Sequence, residues 1–126
     1  MEKYLADSDV IIDLFRGNAK VKEFLDDNVN NVLVSYVSLG EIFQGIKNKV
    51  ELVKINKVLM PLEIDWGSHE IATSSIALLK RFNLKYGVGF LDCLMAATAL
   101  DKNYVLVTRN AKHFKFIPKL KIQIIK

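Results

Sequence analysis

Five short apolar runs alternate with segments of helical periodicity, and this alternation restricts the fold more than any other feature of the chain. The runs are Lys3–Ala6, NVLVS (31–35), PLEI (61–64), YVLVT (104–108) and LKIQII (120–125). Most are continuous in apolarity, the pattern of strands buried on both faces. Between them the spacing predicts helices from Ser8 or Asp9 through Phe15, over Ala19–Asp27, Ser38–Asn48, Glu51–Leu59 and Trp66–Asn83, and over an all-round apolar Phe90–Leu100. Strands that alternate with helices in this way predict an α/β fold, a parallel sheet with helices on both faces. In such folds a ligand site lies beyond the carboxyl ends of the strands. The places to search are therefore Asp7, Ser35 to Glu41, and Thr108 to Asn110.

Length and charge narrow the classes. At 126 residues the chain is one domain, 1–126, able to bury roughly two thirds of its unfolded surface without disulfides. The lone Cys93 lies in an apolar run and reads as an inert buried thiol. No leader-like segment and no run of membrane-spanning length is visible, so a soluble, cytoplasmic protein is expected. A net charge of +4 permits a polyanionic partner without requiring one. With one Cys and two distant His residues, His69 and His113, there is no zinc pattern, and no glycine-rich phosphate loop occurs.

The informative residues are acids without local partners. From 28 to 46 the only charged residue is Glu41; from 89 to 100 it is Asp92. On a helix, Asp92 would share its face with Met95, Ala96 and Ala99. Each acid has a plain structural reading. Ser38 and Glu41 match a capping box, Asp9 a helix cap, and Asp92 a first-turn acid favoured by the helix dipole. Together they say more. The inferred topology brings Asp7, Glu41 and Asp92 to one edge of the sheet, where carboxylates repel unless a cation joins them. Oxygen-only donors suit Mg²⁺ or Mn²⁺, and such a site on a basic protein suits phosphodiester hydrolysis.

Four segments, YLADSDVIIDLFRG, VSYVSLGEIFQGI, FLDCLMAATAL and YVLVTRNAKHF, agree in order, spacing and flanking residues with one family. Over essentially its whole length the chain resembles the PIN domain and, within it, the small prokaryotic VapC-type toxin ribonucleases. The resemblance implies a three-layer α/β/α fold with a central, mainly parallel sheet of four to five strands. It implies a divalent-metal-dependent endoribonuclease with Asp7, Glu41 and Asp92 as catalytic, metal-holding acids. It implies a homodimer, RNA substrates that include tRNA, and inhibition by an antitoxin whose C-terminal segment binds the active-site groove. One position departs: Asn110 stands where many members carry a fourth acid, and His113 where another acid is frequent. That leaves open one metal or two. Asp9, Thr108 and Asn110 are then candidates for holding a water on the metal or orienting a ligand. Thr108 and Asn110 equally suit an ordinary strand-to-helix cap.

Arg109, Lys112 and Arg16 are candidate contacts for RNA phosphates, which predicts salt-sensitive binding. Lys112 and Lys115 also read as solvated surface. Asp13, three residues before Arg16, reads as that arginine's helix-surface partner. Trp66 and Phe82 read as core or helix-packing residues. Two competing functions remain. Asp7-Ser8-Asp9 matches the DxD motif of phosphohydrolases, but the late acidic pair that chemistry needs is absent after Thr108. A catalytically impaired module that only binds RNA or a partner is the other.

Overall fold

The computed structural model describes residues 2–126. Strands β1 (Tyr4–Ala6), β2 (Val32–Ser35), β3 (Glu63–Asp65), β4 (Val105–Thr108) and β5 (Ile122–Ile124) form one sheet in the order β3-β2-β1-β4-β5. Every pairing is parallel, with Ala6 opposite both Val34 and Val107. The helices are α1 (Ser8–Phe15), α2 (Ala19–Asn28), α3 (Tyr36–Gln44), α4 (Lys49–Leu59), α5 (His69–Tyr86) and α6 (Phe90–Lys102).

Alternate strand residues feed two cores. Ala6, Val32, Val34 and Val107 face α1 to α4, packing on Val10, Ile11, Val21, Leu25, Ile42 and Ile55. Leu5, Leu33 and Leu106 face the other way, onto Phe82, Cys93, Met95, Ala96 and Ala99 of α5 and α6 and onto Phe114 and Ile117. The sheet is thus covered on both sides, which explains why its three central strands are apolar at nearly every position. The three-layer α/β/α arrangement expected from the chain is the one observed, with five parallel strands. The central helix α6 is buried continuously from Cys93 to Ala99.

Four local expectations are corrected. Asp7, and neither Ser8 nor Asp9, caps α1; its carboxylate accepts from the Ser8 amide at 2.8 Å. Ser35 caps α3 through the Val37 amide, so this helix starts two residues before Ser38 and the capping box does not form. Ser38 is instead buried inside the helix, with its hydroxyl 3.4 Å from Met95 Sδ. The long helix starts at His69, capped by Ser68, because Gly67 takes φ +82° and turns the chain first. Trp66 therefore lies outside α5 and is 71% exposed, stacked on Tyr36 at a centroid distance of 6.3 Å. Phe82 is in the core as expected.

Asp65 builds the turn that carries Trp66. Its buried carboxylate accepts from the Gly67 amide at 2.8 Å and from the Tyr104 hydroxyl at 3.0 Å. Burial and the neighbouring Asp65 push that phenol up to about 12, so it stays protonated and continues to donate.

Candidate active site

The carboxyl edge of the sheet gathers acids from four points of the sequence. Asp7 ends β1. Asp9 stands in the first turn of α1, Glu41 in the second half of α3 and Asp92 in the first turn of α6. All four line one cavity of about 550 Å³, together with Ser8, Gly89, Phe90, Leu91 and Met95. The plain readings of Glu41 and Asp9 as local caps do not hold here. The Glu41 carboxylate accepts from the Ser8 hydroxyl at 3.1 Å, which ties α3 to α1. Asp92 keeps its dipole-favoured place, and the one basic side chain within 4.0 Å of its carboxylate among the described residues is His113, through Nδ1.

Thr108 joins the acids at the sheet. Its hydroxyl lies 3.2 Å from Asp7 Oδ2 and 3.4 Å from Asp9 Oδ2, so its one hydrogen serves one carboxylate at a time. Asp9 Oδ2 also accepts from the Arg109 amide at 3.2 Å. Asn110 meets this group through its backbone: its amide donates to the Thr108 hydroxyl and its carbonyl is a third acceptor within reach of that hydroxyl's one hydrogen, while its side chain caps a short turn by accepting from the Lys112 amide.

The electrostatics are those of a site short of positive charge. Burial pushes the Asp7 carboxyl up to about 6, helped by the charges of Asp9 and Asp92 and opposed by its bonds from Ser8 and Thr108. Burial also raises Asp9, against the bond from the Arg109 amide. Asp92 is raised by burial and by Glu41 and Asp9, while His113 pulls it down. Asp7 is thus raised by Asp9 and Asp92, and Asp92 by Glu41 and Asp9, as expected of like charges held in one place.

A hard divalent cation fits this donor set. All donors are oxygens, their mutual repulsion is uncompensated, and the buried Oδ1 of Asp9 has no hydrogen-bond partner within the protein. Among the described residues no group of three or more acidic, His or Cys side chains is placed to hold a metal ion together, so a Mg²⁺ here would be held through one or two carboxylates and several waters.

The basic candidates have different placements. Arg109 forms an ion pair with Asp13, Nε to Oδ2 at 3.2 Å, so Asp13 serves this distant partner rather than Arg16. Sequence spacing gave no sign of that pair, since the residues come from α1 and the end of β4. Arg16 is exposed and, with Glu41, lines a neighbouring cavity of about 470 Å³ walled by Ile12, Phe15, Ile42, Ile46 and Ile55. Lys112 is exposed beyond Asn110. Phe90 and Leu91, which the sequence did not single out, stand on the rim of the acid cavity; their position just before Asp92 was the available signal. No described helix is long and apolar enough to cross a membrane.

Comparisons with known proteins bear on the family and the fold. The ribonuclease VapC of Rickettsia bellii is 29% identical to this chain, over 94% of it and 92% of the relative. Ribonuclease VapC10 of Mycobacterium tuberculosis is 28% identical, over 93% and 90%. A toxin–antitoxin complex from Klebsiella pneumoniae contains a chain of similar fold, with TM-score 0.82 and 27% identity over 98% of both chains. A chain of the DNA-bound VapBC of Salmonella typhimurium shares the fold at TM-score 0.86 and 22% identity over the full length of both. The PIN domain model matches residues 4–120, and the chain belongs to the PIN domain family.

Proposed function

We propose that this protein is a divalent-metal-dependent endoribonuclease and the toxin of a toxin–antitoxin pair. One observation carries the reading: Asp7, Asp9, Glu41 and Asp92 line a single cavity at the carboxyl edge of the sheet with no cation of the chain among its lining residues. The relatives named ribonuclease VapC and the toxin–antitoxin neighbour support the substrate and the setting.

Asp7, Asp92 and Glu41 would hold the ion, Mg²⁺ or Mn²⁺, one or two of them directly and the rest through its waters. When bound, it supplies an acidified water as nucleophile and charge stabilisation at the scissile phosphate. The chain's own residues do the rest. Thr108 orients Asp7 or Asp9, one at a time, through its single hydroxyl hydrogen. Asp9 lines the same cavity, with its Oδ2 held by the Arg109 amide and within reach of the Thr108 hydroxyl. Asn110 leaves the fourth-acid role to Asp9, and a single ion is the simplest stoichiometry. Lys112 and Arg16, both exposed, are the proposed phosphate contacts, whereas Arg109 chiefly neutralises Asp13 and positions Asp9. The apolar cavity that shares Glu41 and Arg16 is the groove in which the antitoxin's C-terminal segment would lie. RNAs such as tRNA are the proposed substrates, and a homodimer the working form.

The test is incubation of purified protein with total RNA in Mg²⁺, in Mn²⁺ and in chelator, with mapping of new 5′ ends. Discrete cuts that chelator abolishes are expected. RNA binding without cleavage in either metal would favour the impaired-module reading.

A further inference from the structure

We infer that Phe90 is the base-stacking residue of this site, receiving a nucleobase next to the phosphodiester to be cut; the inference rests on the ribonuclease reading above. Phe90 is 46% exposed and its neighbour Leu91 38% exposed, and both line the same cavity as the four acids. The other rings show how this chain treats aromatics it uses for packing. Phe24 stacks edge-on against Tyr4, and Phe82, Tyr86 and Phe116 form a cluster with centroid distances of 4.0–6.0 Å. Phe90 enters no aromatic pair and neither sheet-facing core among the described residues.

Its position is also fixed. Phe90 is the first residue of α6, two before Asp92, and the next turns of that helix are buried. The exposed ring and the acid are therefore carried by one rigid element. A nucleotide is the ligand that needs both: its phosphate is served by a cation held on carboxylates, and its base offers a flat apolar face to a ring. An apolar protein side chain entering the same cavity to cover Phe90 would desolvate the acids without neutralising them. Stacking on a ring is tolerant of base identity, so Phe90 should strengthen RNA binding broadly and bias cleavage only modestly among bases.

The experiment compares Phe90→Ala and Phe90→Trp with the unaltered protein. Binding of a short labelled single-stranded RNA is measured by anisotropy in an Asp92→Asn background, and steady-state cleavage is measured with Asp92 intact. The alanine variant should raise the Kd and KM by about tenfold, change kcat little, and keep the Mg²⁺ midpoint and Tm. Tryptophan should restore binding. An unchanged Kd in the alanine variant overturns the inference whatever the cleavage result, and so does a shift in oligomer mass with unchanged Kd, which would assign the ring to a protein contact. If the unaltered protein fails to cut RNA while Kd still depends on Phe90, the stacking role stands and the ribonuclease reading falls.

Discussion

Asp13 Oδ2 lies 3.2 Å from Arg109 Nε, joining the middle of α1 to the residue after β4. The pair is only partly solvated, with 25% of the Arg109 and 28% of the Asp13 side chain exposed. Arg109 also gives its amide to Asp9, so the pair braces an acid of the site from behind. Removing Asp13 would leave the guanidinium half-buried with its Nη1 already unpartnered. Asp13→Ala is expected to cost about 1–2 kcal/mol, below the figure for a fully buried pair because water screens this one. Urea unfolding of Asp13→Ala, Arg109→Ala and the double variant checks it. The double variant should lose less than the sum of the two; additive losses would show that the two residues do not interact.

Asp7 predicts an unusual dependence of stability on pH. Its carboxyl rises from 3.8 to about 6 on folding, so the folded chain holds this proton more tightly than the unfolded one. The contribution to stability is full below about pH 4 and is lost as the pH rises through about 6. Without metal at neutral pH, ionised Asp7 costs the fold on the order of 2–3 kcal/mol. In chelator, Asp7→Asn should therefore melt above the unaltered protein at neutral pH, and the gap should close towards about pH 4. Millimolar Mg²⁺ should raise the Tm of the unaltered protein more than that of the variant. A variant that melts lower in chelator at neutral pH would contradict this account of Asp7.

Trp66 is the only tryptophan, and it is exposed on the turn braced by Asp65. The folded protein should accordingly emit like a solvated indole and be quenched efficiently by acrylamide. Emission typical of a buried indole would show that the edge is covered in solution. Gly67 is the other half of that turn: its φ is +82°, and an added Cβ would sit 3.1 Å from Tyr36 Cε1. Gly67→Ala should cost about 1–2 kcal/mol in urea unfolding, with an altered Trp66 signal as Tyr36 gives way.

What the sequence made legible follows the range of the forces involved. Strand runs such as NVLVS and YVLVT are visible because burial on both faces leaves a local record, and the two isolated acids, Glu41 and Asp92, stand out against apolar neighbours. Helix starts were harder. Ser35 and Ser38 both suit a cap, and the choice falls to Ser35 because Ser38 is buried against Met95, 57 residues away. Trp66 looked like packing material because nothing nearby reveals that Gly67 and Ser68 delay the helix. The Asp13–Arg109 pair and the bond from Ser8 to Glu41 span long stretches of chain, and one sequence carries no periodicity that reports them.

The central claim is that Asp7, Glu41 and Asp92 form a metal-dependent RNA-cleaving site. Single-turnover cleavage of a mapped RNA by the unaltered protein, Asp7→Asn and Asp92→Asn in Mg²⁺ tests it most directly, with each variant first shown to be folded by circular dichroism. Each substitution should slow cleavage by at least about a hundredfold, the scale on which loss of one charge-stabilising group acts, and chelator should stop the unaltered protein. Folded Asp7→Asn and Asp92→Asn variants that cut at the unaltered rate would contradict it.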